Sequence, residues 1–208
     1  GGEPAEHPGD FPAGEYDLGG FVVGALEKDR MIDHDAVAPG DVLLGIPSSG
    51  LHSNGYSLAR KVLLGKARLK VHQRVAELGR TLGDELLEPT RIYASLVRRL
   101  LRKYRIKGAV HVPGGGTNGN LPRVLPAGRP AVVERGSWPV PPVFDLIQKI
   151  GGVDQHEMDR TFNNGLGLIL VLDRRHAGGA QKALNRMGEE LFIVGEVRKG
   201  ARGARISS

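Results

Sequence analysis

The sequence predicts an α/β fold of the α+β kind, in which a mixed β-sheet is covered by helices. From about residue 48 onward, amphipathic segments with helical period alternate with short apolar segments, about five times. The spacing between helices and strands is irregular, which argues against a purely parallel sheet. The chain has 208 residues, of which 40% are hydrophobic, enough to bury a large core.

Six apolar segments predict strands, and five amphipathic segments predict helices. The strands occupy residues 16–28, 41–47, 108–112, 130–134, 163–172 and 191–200, and the helices occupy residues 53–64, 88–104, 121–125, 141–151 and 174–188. In the helix at 88–104, hydrophobic residues recur every four positions from Ile92 to Tyr104, and Thr90 can cap its start. Residues 66–88 are polar and predict only short helices.

The organisation of the chain changes near residue 48, where a strand-rich opening gives way to alternating helices and strands. Residues 1–48 contain too few strands to close a core of their own. We therefore expect residues 1–48 to be the end of an incomplete N-terminal domain and residues 49–208 to form a C-terminal α/β domain.

The composition excludes several classes of protein. The chain has no cysteine, which excludes disulfides, thiolate metal sites and a cysteine nucleophile, and which suits a cytoplasmic protein. No apolar segment approaches the roughly 20 residues that span a bilayer, so we expect no membrane partner.

The net charge is +6, and residues 89–133 contain many Arg and Lys residues but no Asp or Glu. This stretch is either a solvated helix face or a surface that attracts anions, such as phosphorylated molecules. The sequence argues against nucleic acid as the partner, because it shows no RRM, KH or helix-turn-helix pattern and only 5% of its residues are aromatic.

The segment HVPGGGTNGN, residues 111–120, has the composition of a phosphate-binding turn. Gly114, Gly115 and Gly116 have no Cβ, so their backbone N–H groups can approach one anion closely. A helix that begins here would add its positive end. The alternative is a tight turn between a strand and a helix.

The segment SSGLHSNGYS, residues 48–57, has a similar design. Gly50 and Gly55 flank His52, Ser53 and Asn54 where a helix begins. These side chains can bind an oxyanion or an amide, and His52 can change its charge near neutral pH. If Ser53 or Asn54 only caps the helix, capping explains one of these residues but not the whole cluster.

Asn163 comes directly before a strongly apolar segment, where an Asn either closes a turn or binds a ligand. The sequence predicts no metal site. His156 and Glu157 are adjacent, so on a helix they would point about 100° apart, and no third ligand stands at a useful spacing.

Five segments, taken in order, resemble one family. They are GGEPAEHPG, GLHSNGYSLAR, LLEPTRIY, HVPGGGTNGNLPRVLP and HEMDRTFNNGLG, and they are similar to segments of phosphoribosylformylglycinamidine cyclo-ligase, also called aminoimidazole ribonucleotide synthetase. The resemblance spans nearly the whole chain but only the later part of the family. It implies that the sequence is a fragment, that residues 1–48 end an ATP-binding domain, and that the fragment alone is inactive.

The resemblance also implies a reaction and its participants. The family closes an imidazole ring in purine biosynthesis, using ATP and Mg²⁺ bound mostly by a preceding domain. The amide oxygen of formylglycinamidine ribonucleotide is phosphorylated, a neighbouring nitrogen attacks the activated carbon, and phosphate leaves. The implied protein is a cytoplasmic homodimer whose ligands are ATP and a phosphorylated small molecule.

By resemblance, the HSNG and GGG segments line the cleft between two domains. His52 is then the candidate for proton handling. The candidates for contact with substrate or phosphate are Ser53, Asn54, Gly55, Gly114, Gly115, Gly116 and Asn163. Glu3, in the GGE motif, would face ATP or magnesium.

Four positions depart from the family pattern, and two other functions stay open. In the opening motif, Pro4 and His7 stand where the family commonly has Thr and Met. Pro113 stands where the family commonly has Thr, and Gly119 stands where it commonly has Glu, which removes a backbone donor and a carboxylate. The alternatives are a sister enzyme such as thiamine-monophosphate kinase, and a non-catalytic module that binds phosphate or RNA. HSNGYSL together with EPTRIY favours the cyclo-ligase over the sister enzymes.

Overall fold

The structure is a computed structural model that describes residues 2–5, 17–201 and 203–207, with side chains from residue 20 onward. The chain divides into two compact units, residues 1–31 and residues 32–208. In the first unit, β1 (Gly2–Ala5) pairs antiparallel with β2 (Asp17–Gly20). The predicted strand at 16–28 is therefore a strand only over four of its residues.

The second unit is built on a six-stranded sheet. Its strands and one small hairpin are β3 (Val42–Pro47), β4 (Arg74–Val75), β5 (Arg80–Thr81), β6 (Ile106–His111), β7 (Ala131–Glu134), β8 (Leu166–Leu172), β9 (Phe192–Val197) and β10 (Ala204–Ser207). The order in the sheet is β10-β7-β9-β3-β8-β6, while β4 and β5 form the hairpin. The pair β10–β7 is parallel and the other pairs of the large sheet are antiparallel, so the predicted mixed sheet is confirmed.

Seven α-helices accompany these strands within the described residues. They are α1 (Tyr56–Arg60), which continues as a π-helix over Lys61–Lys66, α2 (Leu82–Leu86), α3 (Ala94–Leu101), α4 (Gly116–Asn120), α5 (Pro142–Gly151), α6 (Gln155–Thr161) and α7 (Arg174–Asn185). Short 3₁₀ helices occupy Lys28–Arg30, His34–Ala36, Ala76–Leu78 and Leu121–Val124. In the described part of the chain, no helix combines the length and the apolar character needed to cross a membrane.

The sheet is covered on both faces, as the fully apolar sequence of β8 requires. On one face, Leu170 packs in a cluster with Leu96 of α3 and Leu184 of α7. On the other face, Ile169 packs with Leu121 and other residues of a second cluster. A third cluster joins α1, α5 and α6. Every side chain of β8 is buried, so this strand is the centre of the core.

The division between the two compact units falls between residues 31 and 32, earlier in the chain than the predicted boundary between residues 48 and 49. The reason is β3, which pairs with both β8 and β9 in the middle of the large sheet. A strand in that position shares its core with the helices that follow it. The assignment of the first residues to an ATP-binding domain stays a prediction.

Three other local predictions differ from the structure. The helix predicted at 88–104 is regular only over α3, and Thr90 does not cap it, because the N-cap position is Tyr93. Ile92, expected on the buried stripe, is 85% exposed. Residues 66–88 contain the β4–β5 hairpin as well as short helices, and the edge strand β10 was not predicted at all. Short polar strands of this kind lack the alternation that reveals a strand.

Truncation of Ile169 in β8 should destabilise the protein strongly, because this side chain is fully buried between sheet and helices. We expect Ile169→Ala to lower the free energy of unfolding by about 2–5 kcal/mol. Ile193→Ala is the matched control, since Ile193 lies in the neighbouring β9 but is 45% exposed, and should cost about 1 kcal/mol or less. Urea denaturation measures both, and equal losses would contradict this description of the core.

Candidate functional site

Three segments meet at one edge of the large sheet. β3 and β6 both run antiparallel to β8, so their carboxyl ends lie beside the start of β8. Residues 48–55, the His52 loop, follow β3, and residues 113–116, the glycine loop, follow β6. Residues 163–165 lead into β8. The strand order therefore brings together the segments that the sequence singles out.

Asn163 fixes the His52 loop to the start of β8. Its Nδ2 donates to the carbonyl oxygens of Gly50 at 3.0 Å and Leu51 at 3.3 Å. Its Oδ1 accepts from the Ser48 hydroxyl at 2.9 Å and from the Gly165 N–H at 2.8 Å. The side chain is 3% exposed, and all its donors and acceptors are used. This geometry favours a positioning role over the direct ligand contact predicted from the sequence.

His52 lies inside the loop that Asn163 fixes. It is 4% exposed and has a left-handed backbone conformation, with φ of 58°. Its Nε2 accepts a hydrogen bond of 3.1 Å from the Ser49 N–H, so in the neutral ring the proton is on Nδ1. Among the described residues, Nδ1 has no hydrogen-bond partner. A buried N–H donor without an acceptor is costly, so Nδ1 calls for an acceptor that the described residues do not supply.

The surroundings of His52 keep its imidazole neutral. Burial, then the neighbouring His111, then the charge of Arg91 lower the pKa of His52 to about 4. At neutral pH the ring can therefore donate a hydrogen bond from Nδ1 but carries no charge. The sequence predicted a group that changes charge near neutral pH, and the buried position explains why the structure differs.

Tyr93 and His111 complete a cluster of three rings with His52. The His52 and His111 rings are stacked, with centroids 6.2 Å apart, and Tyr93 lies 6.3 Å from His52. The Tyr93 hydroxyl donates to the Pro47 carbonyl at 2.9 Å, and burial raises the pKa of Tyr93 to about 12. Sequence analysis missed both residues, although His111 stands just before the glycine loop.

Gly167 makes room for this cluster. The register between β3 and β8 shifts at this point, so Gly167 forms a β-bulge. A Cβ on Gly167 would overlap the hydroxyl of Tyr93 and come within 2.8 Å of Cε1 of His52. Glycine is required here because two rings approach the backbone of β8 closely.

The glycine loop has a defined shape that Asn120 and α6 maintain. Gly115 and Gly116 have positive φ values of 93° and 57°, and a Cβ on Gly116 would overlap the Asp159 carbonyl oxygen. Nδ2 of Asn120 donates to the carbonyl oxygens of Gly114 at 3.1 Å and Gly116 at 2.8 Å. The helix that follows is only five residues long, so its dipole contributes less than the sequence suggested.

The two loops touch at Asn54. A Cβ on Gly114 would lie 3.0 Å from Oδ1 of Asn54. Within the described part of the chain, the backbone N–H groups of Gly114 and Gly115 have no acceptor. The predicted capping by Ser53 or Asn54 is wrong, because the N-cap of α1 is Gly55 and no side chain caps it. The side chains of Ser53 and Asn54 therefore do not cap α1.

The basic stretch at 89–133 does not act as one surface. Acidic residues from elsewhere pair with three of its cations, in the pairs Arg91–Glu189, Arg105–Asp33 and Lys107–Asp41. On α3 and just after it, the exposed cations are Arg98, Arg99, Arg102 and Lys103. Among the Arg and Lys residues of this stretch, Arg91 is the one whose charge acts on His52.

The described residues include no group of three or more His, Asp or Glu side chains that could hold a metal ion. His156 and Glu157, which the sequence analysis rejected as a metal pair, lie in α6, where Glu157 bonds to Arg160 and Thr161. Glu3 lies in β1, but its side chain is outside the described part of the structure.

Known proteins are similar to this chain in sequence or in fold. The family described as AIR synthase related protein, C-terminal domain, matches residues 38–207. A phosphoribosylformylglycinamidine cyclo-ligase of Myxococcus xanthus is 52% identical over 200 residues, which are 96% of this chain and 58% of the relative. The chain therefore spans little more than half the length of that relative.

Two solved structures have the same fold at low sequence identity. A thiamine-monophosphate kinase from Stenotrophomonas maltophilia superposes with a TM-score of 0.59 at 16% identity, over 88% of this chain and 54% of the kinase. The hydrogenase maturation protein HypE in complex with ATP superposes with a TM-score of 0.53 at 19% identity, over 91% of this chain and 52% of HypE. At these identities the likeness concerns the fold.

Replacement of Asn163 should release the His52 loop. Asn163→Asp keeps an acceptor but removes both donations to the loop carbonyls, so we expect a loss of about 1–3 kcal/mol in stability. Backbone amides of residues 49–52 should exchange with deuterium faster in the variant. Asn185→Ala, at an exposed position at the end of α7, should leave that exchange unchanged; unchanged exchange in Asn163→Asp as well would disprove the anchoring role.

The buried neutral state of His52 predicts a pH dependence of stability. The unfolded chain binds a proton at His52 near pH 6.5, but the folded protein does so only near pH 4. Stability is therefore complete above pH 6.5 and declines as the pH falls towards 4, by about 3 kcal/mol from this group. In urea denaturation measured at a series of pH values, the free energy of unfolding of His52→Asn should not show this part of the decline. Equal declines in both proteins would show that His52 does not titrate in this way.

Proposed function

The chain belongs to the AIR synthase related family through its C-terminal domain, and from this membership we propose that it is the later part of a phosphoribosylformylglycinamidine cyclo-ligase. The enzyme would convert formylglycinamidine ribonucleotide into aminoimidazole ribonucleotide in purine biosynthesis. The relative that carries this name is 52% identical to the chain. The chain covers 58% of that relative, so the activity is proposed for the whole protein.

The proposed reaction makes one C–N bond by activating an oxygen. ATP transfers its terminal phosphoryl group to the amide oxygen of the substrate, which turns a poor leaving group into a good one. A neighbouring nitrogen then attacks the same carbon, the C–O bond breaks, and inorganic phosphate leaves as the ring closes. The protein mainly has to hold two anionic molecules in line and to stabilise charge where it develops.

Within this proposal, the buried, unpartnered Nδ1–H is the observation that supports a role for His52. In a neutral imidazole this group is a hydrogen-bond donor, and it suits an oxygen on which negative charge grows. We propose that His52 donates to the reacting oxygen or its phosphoryl group, rather than removing a proton as a base. His111, stacked on His52 and exposed to solvent, is a second group that could exchange protons with the substrate.

The loops around His52 supply the remaining contacts of the proposal. The free N–H groups of Gly114 and Gly115 suit a phosphate oxygen, with Gly116 holding the loop against α6. Ser53, Asn54 and Gly55 form the opposite wall, beside Gly114. Asn163 acts as a positioning residue, because its amide is fully occupied by the His52 loop and by the Gly165 N–H.

The cofactors and partners belong to the same proposal. The structural likeness to HypE in complex with ATP is consistent with ATP as the second ligand. For Mg²⁺ the described residues do not offer a fitting set of ligands, so we route no step through it. We further propose that the whole protein is a cytoplasmic homodimer in which Glu3 faces ATP.

A non-catalytic module that binds phosphate or RNA is the second candidate. The exposed cations Arg98, Arg99, Arg102 and Lys103 favour it, because they form a basic face on and just after α3 that the ring closure does not use. Binding of RNA would weaken steeply as salt concentration rises.

Turnover distinguishes these functions. The full-length protein should form aminoimidazole ribonucleotide from formylglycinamidine ribonucleotide with ATP, and His52→Ala should lower kcat by roughly a hundredfold or more, the usual scale for a donor to a developing oxyanion. His72→Ala, in an exposed turn, is the matched control and should be normal.

Normal turnover by His52→Ala would remove His52 from the mechanism. Absence of turnover in the unmodified full-length protein, together with tight and salt-sensitive RNA binding, would favour the second candidate instead.

A further inference from the structure

Arg91 is a cation that stands at the candidate site and has no role in the function proposed above. It lies directly before α3, in the EPTRIY segment, and its side chain is 27% exposed. Its guanidinium lies over the Tyr93 ring, with Cζ 5.6 Å from the ring centroid. Its Nη1 donates to the Pro47 carbonyl at 3.3 Å, the same oxygen that accepts from Tyr93. Arg91 is thus anchored at the end of β3, where the His52 loop begins.

Glu189 holds the other side of the guanidinium. Nη2 of Arg91 forms an ion pair with Oε2 of Glu189, which follows α7 and has a side chain 31% exposed. The Nε–H of Arg91 has no acceptor within the described part of the chain. Arg91 therefore differs from a freely solvated surface arginine. Its guanidinium is held in place by Pro47 and Glu189, part of its side chain is exposed, and its Nε–H has no acceptor within the described residues.

His52 and the glycine loop supply hydrogen-bond donors but no formal positive charge, which Arg91 would add. His52 is neutral at physiological pH, as its lowered pKa shows, and the glycine loop offers N–H groups without formal charge. Hydrogen bonds from a cation to a phosphate are roughly twice as strong as those from neutral donors, so a nearby cation would strengthen binding of a phosphate dianion. The planar fork of a guanidinium matches two phosphate oxygens at once, and arginine keeps its charge at all relevant pH values.

We propose that Arg91 is the phosphate-binding cation of the site, and that it exchanges part of its contact with Glu189 for the phosphate of a bound ligand. The proposal rests on the proposed function for the ligand class, a phosphorylated small molecule. The phosphate could belong to the ribotide or to ATP. The chemistry of recognition is the same for both, so the experiment has one arm for each.

The test is a binding measurement on the full-length protein, by isothermal titration with ribose 5-phosphate in one arm and ATP in the other. Arg91→Gln should raise the Kd in one arm by roughly tenfold to a hundredfold, the usual value of hydrogen bonds to a charged group. Arg91→Lys should fall between wild type and Gln, because it keeps the charge but loses the fork. Arg60→Gln, at an exposed position at the end of α1, is the matched control and should bind as wild type.

Glu189→Gln keeps the proposal testable if Arg91 variants fold poorly. Without its counter-charge, Arg91 should bind phosphate more tightly, so the Kd in the same arm should fall. A purely structural Arg91–Glu189 pair gives the opposite result, namely weaker or unchanged binding in Glu189→Gln. That outcome, or an unchanged Kd in both arms for a folded Arg91→Gln protein, overturns the proposal.

Turnover separates this inference from the function on which it rests. If the full-length protein shows the expected Kd pattern but no ring closure, the phosphate site stands and the cyclo-ligase assignment fails. If ring closure is normal and Arg91→Gln leaves KM unchanged for both ribotide and ATP, the assignment stands and the inference about Arg91 fails. In the ribotide arm, a rise in KM without a matching fall in kcat is the expected pattern, because the phosphate of the ribotide is remote from the bond that forms.

Discussion

The side-chain amide of Asn163 is the constraint on which the candidate site depends. Three of its four hydrogen bonds join the start of β8 to the loop that leaves β3, and the fourth, from the Gly165 N–H, lies within the segment that leads into β8. The two strands are neighbours in the sheet, so the loop is held against a strand whose side chains are all buried. A loop held in this way can keep a strained residue such as His52, whose φ is positive, in a single conformation.

In this arrangement, the features that suit the site for a ligand lower the stability of the fold. Burying an imidazole without a partner for Nδ1 costs free energy, and so does holding its backbone in a left-handed conformation. The closely packed strand β8 supplies the stability that offsets both costs, since each of its side chains is buried. Gly167 contributes by having no side chain, which lets two rings lie against the strand. A ligand that accepts a hydrogen bond from Nδ1 would recover part of the cost.

The fold does not by itself identify the reaction. A thiamine-monophosphate kinase and a hydrogenase maturation protein share the architecture at 16% and 19% identity, although their names describe different activities. What differs between such proteins is the set of side chains on the loops at the edge of the sheet. In this chain that edge presents a neutral histidine, free glycine N–H groups and a guanidinium, which together suit a phosphorylated ligand.

The sequence by itself determined the mixed sheet and most of its strands, and it singled out the two loops of the candidate site, because apolar periodicity and glycine clusters are local signals. It could not reveal that His111, Tyr93 and Arg91 join His52, since these residues come together only when β3, β6 and α3 pack around β8. Nor could it show that His52 is uncharged or that Asn163 is fully bonded. Burial and hydrogen bonding are properties of packing between distant segments, and only the tertiary structure decides them.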